Sequence, residues 1–137
     1  PENADPECLE LCGLNPFEGE NIEKVAADIS LWMSDSNIGS IEPVGHNLRF
    51  DLNFFQMKFP MLSSLFSGHC HDSMLLALII NDLSLIQTKE RLFQSVSLRN
   101  LQIHFGLDMP VQHRAMDDAL AATELYRSLM TKLIINK

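Results

Sequence analysis

Helical spacing of apolar residues is the feature that most constrains the fold of this 137-residue chain. In residues 20–34, apolar side chains recur every three or four positions, which is the period of a helix with one buried face. A second such row runs through the C-terminal segment at about 114–133. Only short segments favour strands, so the sequence predicts a helix-rich fold with a few short strands.

The remaining predicted elements are short. Helices are predicted at 47–57, 74–83 and 98–105, and strands at 41–45 and 68–71. Pro43 limits the first strand to a strand end or a sheet edge, because proline cannot donate a hydrogen bond to a neighbouring strand. Asp72 or Ser73 is expected to cap the helix at 74–83, and Ser97 the helix that Gly106 ends. Residues 1–19 are predicted to be loop-like, with a turn of helix over 7–12 as one exception.

Composition excludes several classes of protein. An apolar fraction of 46% suits one soluble globular domain spanning residues 1–137. The longest apolar run, at 74–80, is far shorter than the roughly 20 residues of a membrane span, and no signal peptide opens the chain, so no membrane partner is expected. Three cysteines do not suit a disulfide framework, which predicts a reducing, cytoplasmic location.

The charge balance bears on nucleic-acid binding. Lys and Arg number 10 against 18 Asp and Glu, a net charge of −8. Proteins that bind nucleic acid by neutralising phosphates usually carry a basic patch instead. A divalent cation held by carboxylates is another way to attract a polyanion.

Two carboxylates and one histidine are of the residue types that such a cation site uses. Asp51 falls in the first turn of a predicted helix, and His113 in a loop precedes Asp118 on another. Phosphodiester hydrolysis commonly uses two divalent metal ions about 4 Å apart, which hard carboxylate oxygens bind. A nearby histidine can take the proton of the attacking water.

The chain contains His46-Asn-x-x-Phe-Asp51 and, later, Ser97-Leu-x-x-Leu…Phe105-Gly…His113-Arg-Ala-x-x-Asp118-Ala…Leu125-Tyr126. These two patterns resemble the second and third motifs of the DEDDh family of 3′–5′ exonucleases. That family includes the proofreading epsilon subunit of bacterial DNA polymerase III, oligoribonuclease and ribonuclease T. The resemblance covers roughly residues 20–131.

The resemblance implies a ribonuclease H-like α/β fold and two Mg²⁺ or Mn²⁺ ions. Asp51 and Asp118 resemble the metal ligands of the second and third motifs, and His113 resembles the general base. The implied substrate is the 3′ end of single-stranded DNA or RNA, in proofreading or in the trimming of small nucleic acids. A polymerase or another replication or repair subunit is a candidate partner.

Four further residues are candidate substrate-binding residues. His46 and Asn47 match the residues before the second-motif aspartate and are expected to shape the strand-to-helix turn. Phe50 stands where the family often places an aromatic residue near the terminal base, and Arg114 is a candidate phosphate contact. Asp72 matches an aspartate that commonly opens the following helix, so we expect a cap there.

The chain departs from the family at the first motif, Asp-x-Glu on a central strand, which supplies the other two carboxylates. One placement aligns residues 8–16 with it, with Glu10 as the glutamate ligand and Cys8 in place of the aspartate. The favoured placement makes residues 6–13 the loop before the first helix. The chain then starts after the first three strands of the usual sheet, and it is either a fragment or has an incomplete site. The alternative function is a degenerate exonuclease-like module that binds nucleic acid or protein.

Overall fold

The computed structural model describes residues 6–12, 15, 18–107 and 115–135. These residues form a helix-rich α/β structure with two short strands, which confirms the predicted balance of elements. The helices are α1 Pro6–Cys12, α2 Ile22–Asp35, α3 Leu48–Lys58, α4 Ser73–Thr88, α5 Leu98–Phe105 and α6 Ala115–Ile135, the strands are β1 Val44–Gly45 and β2 His71–Asp72, and a 3₁₀ helix spans Pro60–Leu65.

Strands β1 and β2 pair in parallel, with Val44 opposite His71 and Gly45 opposite Asp72. A separate parallel bridge joins Ile41 to Phe66. Pro43 lies between this bridge and β1, where no ladder hydrogen bond from its nitrogen is needed. The strand predicted at 68–71 is wrong for residues 68–70, which are exposed and outside any strand.

The helix boundaries follow local capping chemistry. Asp72 and Ser97 cap α4 and α5 as predicted, and Gly106 ends α5 with a positive φ of 63°. Helix α4 continues past the predicted end at residue 83 to Thr88, where Lys89 adopts the left-handed conformation. Helix α1 at Pro6–Cys12 confirms the turn of helix predicted over 7–12 within the loop-like N-terminal segment, and it begins one residue earlier.

The chain divides into two compact units. Unit 1 comprises Pro1–Pro43 and Arg49–Cys70, and unit 2 comprises Val44–Leu48 and His71–Lys137. In unit 2, α6 packs against α4, α5 and β1. The core of that unit consists of Ala77, Ile80, Phe93, Leu101, Leu125 and Leu129.

Unit 1 has a smaller apolar centre. Ala26 and Met33 of α2 and Leu62 of the 3₁₀ helix are buried. The Phe55 ring stacks on Phe59, with centroids 5.0 Å apart. In the part of the chain that the structure describes, no helix is both long enough and apolar enough to cross a membrane.

Candidate active site

The turn between β1 and α3 carries the second motif. Asn47 adopts a positive φ of 63°, a conformation that asparagine tolerates better than most residues. Gly45 is buried before it, and a Cβ atom at Gly45 would lie 2.5 Å from Cδ2 of Leu48. Any larger residue at position 45 would therefore force the Leu48 side chain to shift.

The carboxylate of Asp72 holds the start of α3 and the start of α4 together. Its Oδ1 accepts hydrogen bonds from the backbone N–H groups of Asn47 (3.0 Å), Met74 (2.9 Å) and Leu75 (3.4 Å). Its Oδ2 accepts from the N–H of Leu48 at 2.9 Å. The first N–H groups of a helix have no partner within the helix, so one buried side chain satisfies this need at both starts. The cap expected at Asp72 is confirmed.

His46 packs beside this cap. Its Nδ1 lies 2.9 Å from Oγ of Ser73, and that hydroxyl donates to the carbonyl oxygen of Gly45 at 3.0 Å. Burial lowers the pKa of His46 below 6.5, while the charge of Asp72 and a backbone hydrogen bond with Val96 act in the opposite direction. Burial therefore favours the neutral imidazole.

A contact that the sequence did not reveal joins β2 to α6. Nδ1 of His71 lies 3.1 Å from the hydroxyl oxygen of Tyr126, and the two rings meet edge to face with centroids 5.3 Å apart. Tyr126 is the only tyrosine of the sequence, and it ends the third-motif pattern. Its place in that pattern was the only sequence feature that pointed to a role for this residue.

The two motif aspartates both lie in the first turns of helices, as predicted. Asp51 is exposed on α3 in unit 1, and Asp118 is half-buried on α6 in unit 2. The positive end of a helix dipole stabilises a carboxylate at such a position. Phe50, directly before Asp51, is 70% exposed and therefore accessible to a ligand.

The remaining predicted site residues are His113, Arg114 and Glu10. His113 and Arg114 lie outside the described residues. Glu10 is exposed on α1, a helix and not the strand that the alternative placement of the first motif requires.

A metal site would need several His, Cys, Asp or Glu side chains close together. Within residues 6–12, 15, 18–107 and 115–135, no group of three or more His, Cys, Asp or Glu residues is placed to hold a metal ion. The described residues therefore do not by themselves fit a two-metal centre.

Comparison with known proteins identifies the family. The family model described as Exonuclease matches residues 2–126, which span both motifs. No curated protein and no solved structure matches the chain. Enzymes of this kind are nucleases that generally use divalent metal ions. The family match covers most of the sequence, so the chain belongs to the exonuclease family, whose DEDDh-type members its two motifs resemble.

Proposed function

We propose that this chain is a metal-dependent 3′–5′ exonuclease with a ribonuclease H-like fold. The observation that carries the proposal is the family match over residues 2–126, because it includes Asp51, His113 and Asp118 in their motif context. The parallel pairing of β1 and β2, with β1 leading directly into the helix of Asp51, supports the same fold.

The proposed reaction is hydrolysis of the last phosphodiester at the 3′ end of single-stranded DNA or RNA. Water attacks the phosphorus, and the bond to the 3′ oxygen of the penultimate nucleotide breaks. That oxygen takes up a proton from solvent, and a nucleoside 5′-monophosphate is released. His113 takes the proton of the water. His46 and Asn47 shape the turn next to the substrate, Phe50 contacts the terminal base, and Arg114 contacts a phosphate.

Asp51 and Asp118 are the proposed carboxylate ligands for two Mg²⁺ or Mn²⁺ ions. The family match and the two motif positions support this ligand assignment. Among the described residues, no three ligands form a group that could hold a metal ion. Glu10 is left out of the ligand set because α1 is helical and exposed there. A polymerase or another replication or repair subunit is the proposed partner.

The test is digestion of a 5′-labelled single-stranded oligonucleotide with and without Mg²⁺ or Mn²⁺. We expect Asp51→Asn and Asp118→Asn each to abolish the metal-dependent shortening from the 3′ end, because each substitution removes a charged oxygen ligand. The matched control is Asp82→Asn, at an exposed position of α4, and this variant should digest the oligonucleotide like wild type. Wild-type digestion by Asp51→Asn would refute the proposal.

A second candidate is a degenerate exonuclease module that binds nucleic acid or protein without turnover. The observation that favours it is the lack of a three-ligand group among the described residues, together with an N-terminal helix at the position of the alternative first motif. Calorimetric titration with Mn²⁺ in the presence of a nucleoside monophosphate separates the two. Two bound ions support the enzyme, and retained oligonucleotide affinity without metal binding supports the module.

A further inference from the structure

A groove in unit 2 opens between the C-terminal parts of α4 and α6. Its volume of about 510 Å³ lies within the roughly 300–1,000 Å³ of small-molecule binding sites. Lys132, which lines the groove, is in the last turn of α6, whereas Asp118 is in the first turn. At a rise of about 1.5 Å per residue, roughly 21 Å of helix separates these two residues. The groove is therefore remote from the motif aspartate of the same helix.

The walls of the groove present aliphatic side chains on a packed support. Leu92 and Leu133 line the groove and pack against the buried core of unit 2. Ile80 also lines it and is itself part of that core, and Leu83 adds a side chain that is 44% exposed. Single exposed apolar residues are common on protein surfaces, whereas several that line one concave surface are typical of a ligand site. These walls suit an aliphatic chain.

The polar side chains of the groove restrict the head group that such a chain can carry. Oγ of Ser84 donates to the carbonyl oxygen of Glu90 at 3.0 Å, and Oγ1 of Thr88 donates to that of Ser84 at 2.9 Å. The protons of both hydroxyl groups are therefore already used. The side-chain donors that remain on the described walls belong to Gln87 and Lys132.

Lys132 gives the groove its charge. It is half-buried, and it is the only charged side chain among the described residues that line the groove. Within the described part of the chain, it forms no ion pair. An ammonium group at the edge of an apolar surface attracts an anion, and a carboxylate both accepts its hydrogen bonds and neutralises its charge. The groove therefore combines an apolar surface with a site for an anionic head group.

We propose that this groove binds a free aliphatic carboxylate whose head group pairs with the ammonium of Lys132. The chain of the ligand lies against Leu83, Leu92 and Leu133. A peptide is a poorer occupant, because its backbone amides lose hydrogen bonds to water on burial and the hydroxyl groups of the groove already donate to backbone carbonyls. A hydrocarbon chain has no such requirement. The site does not depend on the nuclease function proposed above.

The experiment is isothermal titration calorimetry of the full chain with sodium decanoate below its critical micelle concentration. We expect one decanoate to bind per chain. Lys132→Gln should weaken this binding about tenfold, because it removes a hydrogen-bonded charge. The matched control is Lys58→Gln, which removes an exposed cation of α3 in unit 1 and should bind decanoate like wild type.

The head group and the chain of the ligand are tested separately. Decylammonium has the same chain with a cationic head group, and it should bind the wild type at least tenfold more weakly than decanoate. Lys132→Glu should reverse this preference, which an unfolded variant would not do. Hexanoate should bind more weakly than decanoate, since each CH₂ group that is fully buried strengthens binding about fourfold.

Four outcomes would overturn the proposal. Equal decanoate affinity of the wild type and Lys132→Gln is the first, and a wild-type preference for decylammonium is the second. The third is binding of several decanoate molecules per chain without dependence on Lys132, which would indicate non-specific adsorption. The fourth is tighter binding of N-acetyl-leucyl-leucine than of decanoate, which would make the C-terminus of a protein the occupant.

Discussion

Asp72 is the residue on which the starts of two helices depend. Its carboxylate accepts four backbone hydrogen bonds, two from the α3 start and two from the α4 start. Removing it would leave the buried N–H of Leu48 and three part-buried N–H groups without this partner, and a buried N–H left unsatisfied costs roughly 1–3 kcal/mol. The placement of the second motif therefore depends on a residue outside that motif.

We predict that Asp72→Ala lowers the free energy of unfolding by about 2–4 kcal/mol, more than the loss of one ordinary cap. Urea unfolding followed by far-ultraviolet circular dichroism measures the change. The control is Asp82→Ala, an exposed residue of α4, which should stay within about 0.5 kcal/mol of wild type. Equal stabilities of the two variants would contradict the double-cap interpretation.

His46 makes stability depend on pH. Its pKa is lowered in the folded protein by burial, so the unfolded chain binds the proton more readily and acidification favours unfolding. We predict that the wild type loses stability faster than His46→Asn as the pH falls from about 7 to about 5. Urea midpoints at several pH values measure this difference. His69→Asn, at an exposed histidine, should keep the wild-type pH dependence, and parallel curves for wild type and His46→Asn would refute the assignment.

At the scale of elements, the β1–α3 turn combines three requirements. β1 pairs with β2, Asn47 takes the left-handed conformation, and the backbone at Gly45 lies against the Leu48 side chain. Leu48 is buried, so it has little room to move away from a larger residue at position 45. A larger residue at position 45 would therefore displace the Leu48 side chain from its buried position.

We predict that Gly45→Ala lowers the free energy of unfolding by about 1–3 kcal/mol, because the new Cβ would overlap Cδ2 and Cγ of Leu48. Thermal or urea unfolding measures it. Gly68→Ala is the matched control, since no atom lies within 4 Å of a Cβ at that position. Should both variants unfold alike, the close approach at Gly45 would not be a constraint.

At the scale of the whole molecule, the chain contains two compact units, which could unfold together or separately. We propose that residues 1–137 form one exonuclease domain that unfolds cooperatively. Trp32, the only tryptophan, lies on α2 in unit 1, whereas Leu125 is fully buried in the core of unit 2. Trp32 fluorescence therefore reports on the unfolding of unit 1, and a substitution at Leu125 perturbs unit 2.

We predict that Leu125→Ala destabilises the protein by about 3 kcal/mol and shifts the urea transition of Trp32 fluorescence as far as that of circular dichroism. The exposed Leu120 on the same helix provides the control, and Leu120→Ala should change stability by less than about 0.5 kcal/mol. An unchanged fluorescence midpoint in Leu125→Ala would show that the units unfold independently.

Much of the local structure was accessible from the sequence. The caps at Asp72, Ser97 and Gly106 depend on the chemistry of a residue and its near neighbours, and all three are as predicted. The α4 boundary was missed because polar residues after Ile80 interrupt the apolar run, while Asn81 is in fact buried and bonded to the backbone of Phe93. Helices continue where tertiary contacts satisfy such polar groups.

By itself, the sequence determined the helix-rich class, the main caps and the two motifs that identify the exonuclease family. Only the tertiary structure decided that Asp72 also caps α3, that His46 meets Ser73, and that His71 meets Tyr126. These partners lie far apart in the chain and come together because β1 and β2 pair in parallel and α6 packs against β1. Local patterns report what a segment prefers, whereas long-range hydrogen bonds depend on which segments are brought into contact.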